Sequence, residues 1–371
     1  MLLIAGCDDP SNVGQGLLDA QSSDTQVVSL PGASLEVAAR GDLTGGNTAI
    51  GALRVLFGTV DDPVVGTLDA AGYVDFVPGS QFPSTFLNGT VSWADVRLNV
   101  DYQYGDTSST VLVDLYDVSA AWQSTTLRAD STIEKGAFIG TFEIPASSGI
   151  VTLPLPASWV STHDATLRNS NFSDLFHGFA VVPRGGGAIL GARFSESELR
   201  ASAAPGDTVS FPMSKVGTLT NDDAVVDPAG YRVLRDGATS SLDLRLPIQN
   251  GPIGEALIHR VILKMKTADW SSQYPTGFSH PTPGVILVEA VSSDGATRLE
   301  IAEVARNASG EFIVDGTTLT NVFQSANLGK SVLDRFEITF PAEQSGIGFV
   351  GFSVDDAVPG VETLVTLTPI N

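Results

Sequence analysis

The chain has 371 residues, 43% of them hydrophobic, with 38 glycines, 20 prolines and a net charge of −22. Such a length suits two domains, and that hydrophobic content excludes wholesale disorder. The acidic balance repels nucleic acid and anionic lipid headgroups and argues against both as partners. It fits either a saline habitat or an ordinary acidic secreted protein.

The chain begins with an apolar run, two small residues and its single cysteine: Leu3-Ile4-Ala5-Gly6-Cys7, followed by Asp8-Asp9-Pro10. This resembles a lipoprotein processing site, at which cleavage precedes Cys7 and the thiol takes up lipid. The run is short and lacks a basic start, which points to a start codon placed too far downstream. The alternative is a cytosolic N-terminus with a buried free thiol. Cys7 has no partner for a disulfide within the chain. No later apolar run approaches the ~20 residues of a membrane helix. The expected organisation is a truncated signal and lipobox over 1–7, a tether over 8–24, a first sandwich over 25–215, a linker over 216–230 and a second sandwich over 231–371.

Alternation with a period of two marks half-buried strands. Val96, Leu98, Val100 and Tyr102 fall on one face, with Arg97, Asn99 and Asp101 on the other. The turn residues Gly105-Asp106 then predict a hairpin over 93–118. Val111-Leu112-Val113 reads as a deeper strand, and Asn169 to Phe176 as a short helix capped by Ser173. Thr220 to Gly230, with Asn221-Asp222-Asp223 and Asp227-Pro228, is rich in turn formers and marks the boundary between halves. Beyond it, Leu242, Leu244, Leu246 and Ile248 alternate with Asp243 and Arg245. Val261, Leu263 and Met265 alternate with Lys264 and Lys266. Thr318 to Leu328 reads as a helix ending at Gly329. Phe336, Ile338 and Phe340 point inward and Glu337 outward.

The halves look duplicated. Trp93 to Leu98 followed by Leu115 to Val118 parallels Ile258 to Leu263 followed by Val285 to Val288. His177-Gly178-Phe179 parallels Gly348-Phe349, and the strand at Gly191 to Phe194 parallels Thr363 to Thr368. The predicted fold is all-β: two tandem antiparallel jelly-roll-like sandwiches with few short helices.

Candidate chemistry is sparse. His163, His177, His259 and His280 show no metal-binding spacing. No serine sits in a nucleophile elbow, and Gly185-Gly186-Gly187 lacks the lysine of a phosphate loop. The pairs Asp61-Asp62, Asp222-Asp223 and Asp355-Asp356 are adjacent in sequence, whereas glycoside hydrolysis needs carboxyls about 5–10 Å apart across a cleft. Asn221, Asp222, Asp223 and Asp227 offer hard oxygens for Ca2+ within one loop, although such residues are also common turn formers. Trp93, Trp122, Trp159 and Trp270 are the candidate platforms for stacking a sugar; core filling is the alternative for each.

Several phrases resemble a family of uncharacterised Bacteroidota lipoproteins, domain of unknown function 4270. They are Cys7 to Gly14 with Leu17-Leu18, Leu56 to Gly66, Tyr104 to Thr107 with Leu115 to Val118, and Phe176 to Phe179. The second half is similar to strand-rich modules of secreted proteins that resemble carbohydrate-binding jelly rolls. The resemblance implies an outer-membrane lipoprotein, facing the periplasm or the surface, and brings no known activity. The combined expectation is a protein anchored in outer-membrane lipid through Cys7. It would bind or scaffold an envelope protein or a glycan, without catalysis; a glycoside hydrolase is the minority alternative.

Overall fold

The structure, a computed structural model, describes residues 25–30, 34–39, 45–47 and 54–370, except 125–126, 128–130, 148, 204–206, 222–224, 236–239, 247–252, 342–345 and 356. It is all-β. In chain order the strands are β1 (Gln26–Leu30), β2 (Ser34–Ala39), β3 (Gly45–Asn47), β4 (Arg54–Asp62), β5 (Gly66–Phe76), β6 (Trp93–Asp106), β7 (Thr110–Val118), β8 (Lys135–Pro145), β9 (Gly149–Pro154), β10 (Phe179–Gly185), β11 (Ala188–Arg193), β12 (Glu198–Ser202), β13 (Thr208–Asn221), β14 (Tyr231–Arg235), β15 (Ser240–Arg245), β16 (Ala256–Lys266), β17 (Phe278–Ser279), β18 (Val285–Ser292), β19 (Arg298–Ala305), β20 (Glu311–Asp315), β21 (Leu333–Thr339), β22 (Phe349–Ser353) and β23 (Val361–Pro369). Short helices cover Ser84–Asn88, Ala157–Leu167, Phe172–Leu175 and Thr317–Asn327.

In the first sandwich the ladders run from β4 to β5, β13, β12, β6 and β11, and back to β4. Closing this ring removes most sheet edges. Strands β10, β7 and β8 extend it from β5. Phe57, Phe76, Phe179 and Phe211 fill the core beside Val96 and Leu98, as the alternation along β6 predicts. Against β11, β6 carries one extra residue: Val100 faces Ala192, whereas Tyr102 faces Gly191. Such a bulge re-aims the side chains that follow. Tyr104 therefore belongs to a different apolar cluster from Val100.

Three sequence expectations change. The predicted hairpin over 93–118 is an arch. Ser108 N–H donates to Asp106 Oδ1 at 2.8 Å in the turn, but β6 pairs with β9, β11, β12 and β17 while β7 pairs with β8 and β10. Residues 216–221 are no linker, because β13 is one strand through to Asn221. The N-terminal strands Gln26–Leu30 and Ser34–Ala39 belong to the second sandwich: β1 pairs with β23 and β2 with β15. Of the predicted helices, Thr317–Asn327 matches closely, and Gly329 follows it at φ +64°. Phe172–Leu175 begins after Asn171, which places Ser173 inside the helix. The longer Ala157–Leu167 was not predicted; it follows Pro156, whose fixed φ suits a helix start.

The second sandwich stacks a sheet ordered β1-β23-β16-β20 with one ordered β19-β18-β21-β15-β2, and β14 pairs with β22 beside them. Leu242, Leu244, Val261, Leu263, Met265 and Ile338 fill its core. Each of its eight ladders has a counterpart in the first sandwich. Strands β14, β15, β16, β18, β19, β20, β21, β22 and β23 take the places of β4 through β12, skipping β17. A helix precedes β10 in one and β21 in the other. The duplication is therefore visible in topology, with one shift from the sequence pairing: Gly348-Phe349 leads into the equivalent of β11, and β23 is the equivalent of β12.

Candidate functional site

The most elaborate polar cluster among the described residues lies where the two sandwiches meet. The sequence Asp62-Pro63-Val64-Val65 turns tightly after β4, and Asp62 Oδ1 accepts both the Val64 and Val65 N–H groups, at 2.8 and 2.9 Å. Tyr104, fully buried, donates its hydroxyl to Asp62 Oδ2 at 2.6 Å. From the second sandwich, Tyr274 stacks on His280 at 4.5 Å and on Phe278 at 5.2 Å, and the His280 ring meets Tyr104 at 5.9 Å. Burial, followed by the Asp62 charge, pushes the hydroxyls of Tyr104 and Tyr274 well above the usual phenol range. Burial also pulls His280 below the usual imidazole value. Among the described residues His280 Nε2 has no hydrogen-bond partner, while the Tyr274 hydroxyl feels the Asp62 carboxylate.

Backbone contacts fasten the same junction. Strand β17 adds to the end of β6, pairing Phe278 with Asp106 and Ser279 with Gly105. Val226 N–H donates to Val65 O at 2.9 Å. Tyr102 accepts from the Ile347 N–H at 2.9 Å and donates to the Ile347 carbonyl. Trp270 lies so close to Gly351 that a Cβ there would meet its ring at 2.2 Å. Leu56, Val60 and Ile189 from one side and Val233, Trp270 and Phe349 from the other form one buried cluster.

A second polar array crosses the five-stranded sheet. Ladder registers place Glu36, Asp243, Glu337, Glu289 and Glu300 side by side in one row. Like charges directly opposite destabilise a sheet. Here Arg335 reaches Asp243 at 2.8 Å, and Arg298 reaches Glu337 at 2.9 Å and Glu289 at 2.8 Å. Glu337, expected to face solvent, is only 2% exposed beneath these arginines. Burial, with Glu337 nearby, holds the Asp243 carboxyl above the usual range. Beside this array a cleft of about 510 Å³ opens against the helix Thr317–Asn327, lined in part by Arg298, Leu299, Asn321, Lys330 and Val332.

The sequence-predicted residues are dispersed. Trp122, Trp159 and Trp270 are interior, so core filling is the fate of three of the four platforms. Trp122 Nε1–H donates to the His177 carbonyl at 3.0 Å. Trp159 Nε1–H donates to Asp117 Oδ1 at 2.8 Å, and its ring stacks on His163 at 4.2 Å. Burial raises the Asp117 carboxyl above the usual range despite that bond. Trp93 is 40% exposed, with the Arg200 guanidinium 6.0 Å from its ring and Asp95 holding that guanidinium at 2.9 Å. Of the calcium set, Asn221 ends β13 opposite Asp69, and Asp227 Oδ1 caps the Val233 N–H at 3.1 Å. Asp222, Asp223 and Cys7 lie outside the described residues. Among those described, no three His, Cys, Asp or Glu side chains are arranged to hold a metal ion.

Sequence reasoning missed the junction. Tyr104 fell next to the turn predicted at Gly105-Asp106, and Asp62 in one of several adjacent acidic pairs. The Asp-Pro step after Asp62 was the available signal, because an aspartate before a tight turn commonly accepts the N–H groups that follow.

No family model and no curated protein matches the chain. Among solved structures, a "putative secreted protein" from Parabacteroides distasonis ATCC 8503 is 11% identical, covering 91% of this chain and 100% of its own, with a TM-score of 0.20. The Macrobrachium rosenbergii nodavirus is 8% identical, covering 99% and 92%, with a TM-score of 0.14. Likenesses this faint carry no argument about fold or function. No helix among the described residues is long and apolar enough to cross a membrane.

Proposed function

We propose that this is a lipid-anchored envelope protein, held in outer-membrane lipid through Cys7, with a non-catalytic binding or scaffolding role. The observation that carries the reading is how its charged side chains are used. Asp95 is bound by Arg200, Asp101 by Arg54 and Arg193, Asp75 by Lys215, and Glu337 by Arg298. Asp62 is consumed by Tyr104 and two backbone N–H groups. These carboxylates hold strands and sandwiches together, whereas a hydrolase needs a pair set apart across a cleft. The cleft beside Arg298 and Lys330 is one concave surface that could take a partner.

Anchoring is tested by growing cells that express the full chain on an alkynyl fatty acid and separating membranes from soluble protein. The expected outcome is label on the wild type and its loss, with release from membranes, in Cys7→Ser. A mature wild type that keeps Met1 and a free thiol refutes the anchor. The glycan alternative has one exposed indole in its favour, Trp93, flanked by Arg200. Binding on a polysaccharide array that survives Trp93→Ala would remove the stacking form of that idea.

A further inference from the structure

The duplicated halves differ in two connections. In the first sandwich, β7 runs to β8 through residues 119–134, and the helix Ala157–Leu167 runs to β10 through residues 168–178. In the second, the equivalent connections are only 293–297 and 328–332. The longer route to β10 carries Phe172 and Phe176, which are buried in the core against Phe211 and Trp159. The shorter routes carry no aromatic residue. The cleft of about 510 Å³ opens here, between the start of β19, the helix Thr317–Asn327 and the residues that lead into β21.

We propose that this cleft binds a small amphiphilic carboxylate, an acid group carried on a short apolar chain. The inference deepens the binding role proposed above and rests on it, but not on the anchor. Small-molecule sites usually enclose about 300–1,000 Å³. The chain has 42 acidic residues against 20 basic ones, yet this lining holds Arg298 and Lys330 and no acid. Glu289 and Glu337 engage Arg298 at 2.8 and 2.9 Å. Lys330 is exposed and has no ion pair among the described residues, so its ammonium is the charge left for a ligand. A surface this acidic repels an anion from most other places. Apolar area accompanies the charge: Leu299 is 41% and Val332 70% exposed, and the buried Val322 also lines the cleft. Asn321 and Ser325, one helical turn apart, supply an amide and a hydroxyl that can donate to a carboxylate. A sugar acid would leave the apolar lining unmatched, and an uncharged alkyl chain would leave Lys330 unmatched.

The test is isothermal titration of the full-length chain carrying Cys7→Ser, with octanoate, hexanoate, octanol and glucuronate, each kept below any micelle threshold. Octanoate should bind most tightly. Hexanoate should be several-fold weaker, because each buried methylene contributes to affinity. Octanol and glucuronate should be weaker still, since each lacks half of what the cleft offers. Lys330→Gln should weaken octanoate by at least about tenfold, the margin of one hydrogen bond to a charged group, and leave octanol unchanged. Lys266→Gln, at an exposed lysine of β16 outside the cleft, should leave octanoate unchanged. Val332→Asp should abolish octanoate binding by placing a like charge on the apolar wall. Val332 and both lysines are exposed, so these changes spare the core. Octanol or glucuronate binding as tightly as octanoate overturns the ligand class and still leaves a binding role. Equal losses in Lys330→Gln and Lys266→Gln, or heat from no probe, overturn the cleft as a site. Failure of the anchor is read separately, by the Cys7 labelling above.

Discussion

The first sandwich is built from one continuous stretch, β3 to β13, whereas the second is assembled from β14 to β23 and two strands, β1 and β2, that precede them all. Their ladders correspond, yet among the described residues only the first closes into a ring. The difference separates topology from cooperativity. A sandwich whose last strand is covalently adjacent loses little chain entropy in closing, whereas one that recruits a distant strand must close a loop as long as the other domain. The second sandwich should therefore be the more easily opened of the two.

Deleting residues 25–39 is the most severe way to break the comparison. Calorimetry should show the second sandwich losing its transition while the first keeps its own. The single change Leu35→Ala, which empties a buried site on β2, should destabilise the second sandwich alone, by about 2–5 kcal/mol. Val216→Ala, on the corresponding part of β13, should act only on the first. Equal responses of both transitions to either change would mean that the halves unfold as one unit.

The next largest effect is electrostatic and again confined to the second sandwich. Arg335→Ala leaves Asp243 and Glu337 facing each other, both buried. Stripping a buried pair of one partner costs about 3–5 kcal/mol. Replacing Arg335, Asp243 and Glu337 together by apolar residues of similar volume should recover most of that loss, because no uncompensated charge remains. Urea midpoints for the single and triple variants measure this. A single variant as stable as the wild type would show that the array contributes nothing.

How much of this was legible in the sequence depends on whether the cause was local. The alternation of Val261, Leu263 and Met265 against Lys264 and Lys266 fixes which face of β16 is buried, and the helix before Gly329 carries its own stop signal. Glu337 was read as solvent-facing because its neighbours alternate. What buries it is Arg298, brought alongside by ladder pairing with β18 and β19. The turn at Gly105-Asp106 was legible, but its partners were not. Whether two strands joined by a turn pair with each other or arch between sheets is decided by contacts far along the chain. Tyr104 depends on the extra residue of β6 opposite β11, a register that only the folded sheet defines. Of the four candidate indoles only Trp93 stays exposed; Trp122, Trp159 and Trp270 are interior, and the N–H groups of Trp122 and Trp159 are satisfied there by His177 and Asp117.

The junction offers a sharper and milder test, since it belongs to both sandwiches. Tyr104→Phe leaves Asp62 Oδ2 buried without its donor, and a hydrogen bond to a charged group contributes about 1.5–3 kcal/mol. Because Tyr104 sits in the first sandwich and meets Phe349 of the second at 6.0 Å, both calorimetric transitions should fall. A drop in one alone would show that the junction does not couple them.

The smallest expected effect is one of pH, and its sign differs between the two histidine environments. His280 has a depressed pKa, so between that value and the ordinary ~6.5 the unfolded chain binds more protons than the folded one. Its contribution is therefore intact above pH ~6.5 and is lost as the pH falls towards the folded value. Asp62 opposes the shift, while Arg306 reinforces the burial that causes it. In the first sandwich, Asp117 beside Trp159 and His163 has a raised pKa, so the folded state binds the extra proton and acidification towards pH ~4 favours it. Between pH 7 and 5.5 the wild type should therefore lose stability. His280→Phe, which keeps the ring stack on Tyr274 but cannot be protonated, should flatten that slope in chemical denaturation. An unchanged slope in His280→Phe would assign the acid sensitivity to other groups, and the junction would then be indifferent to pH.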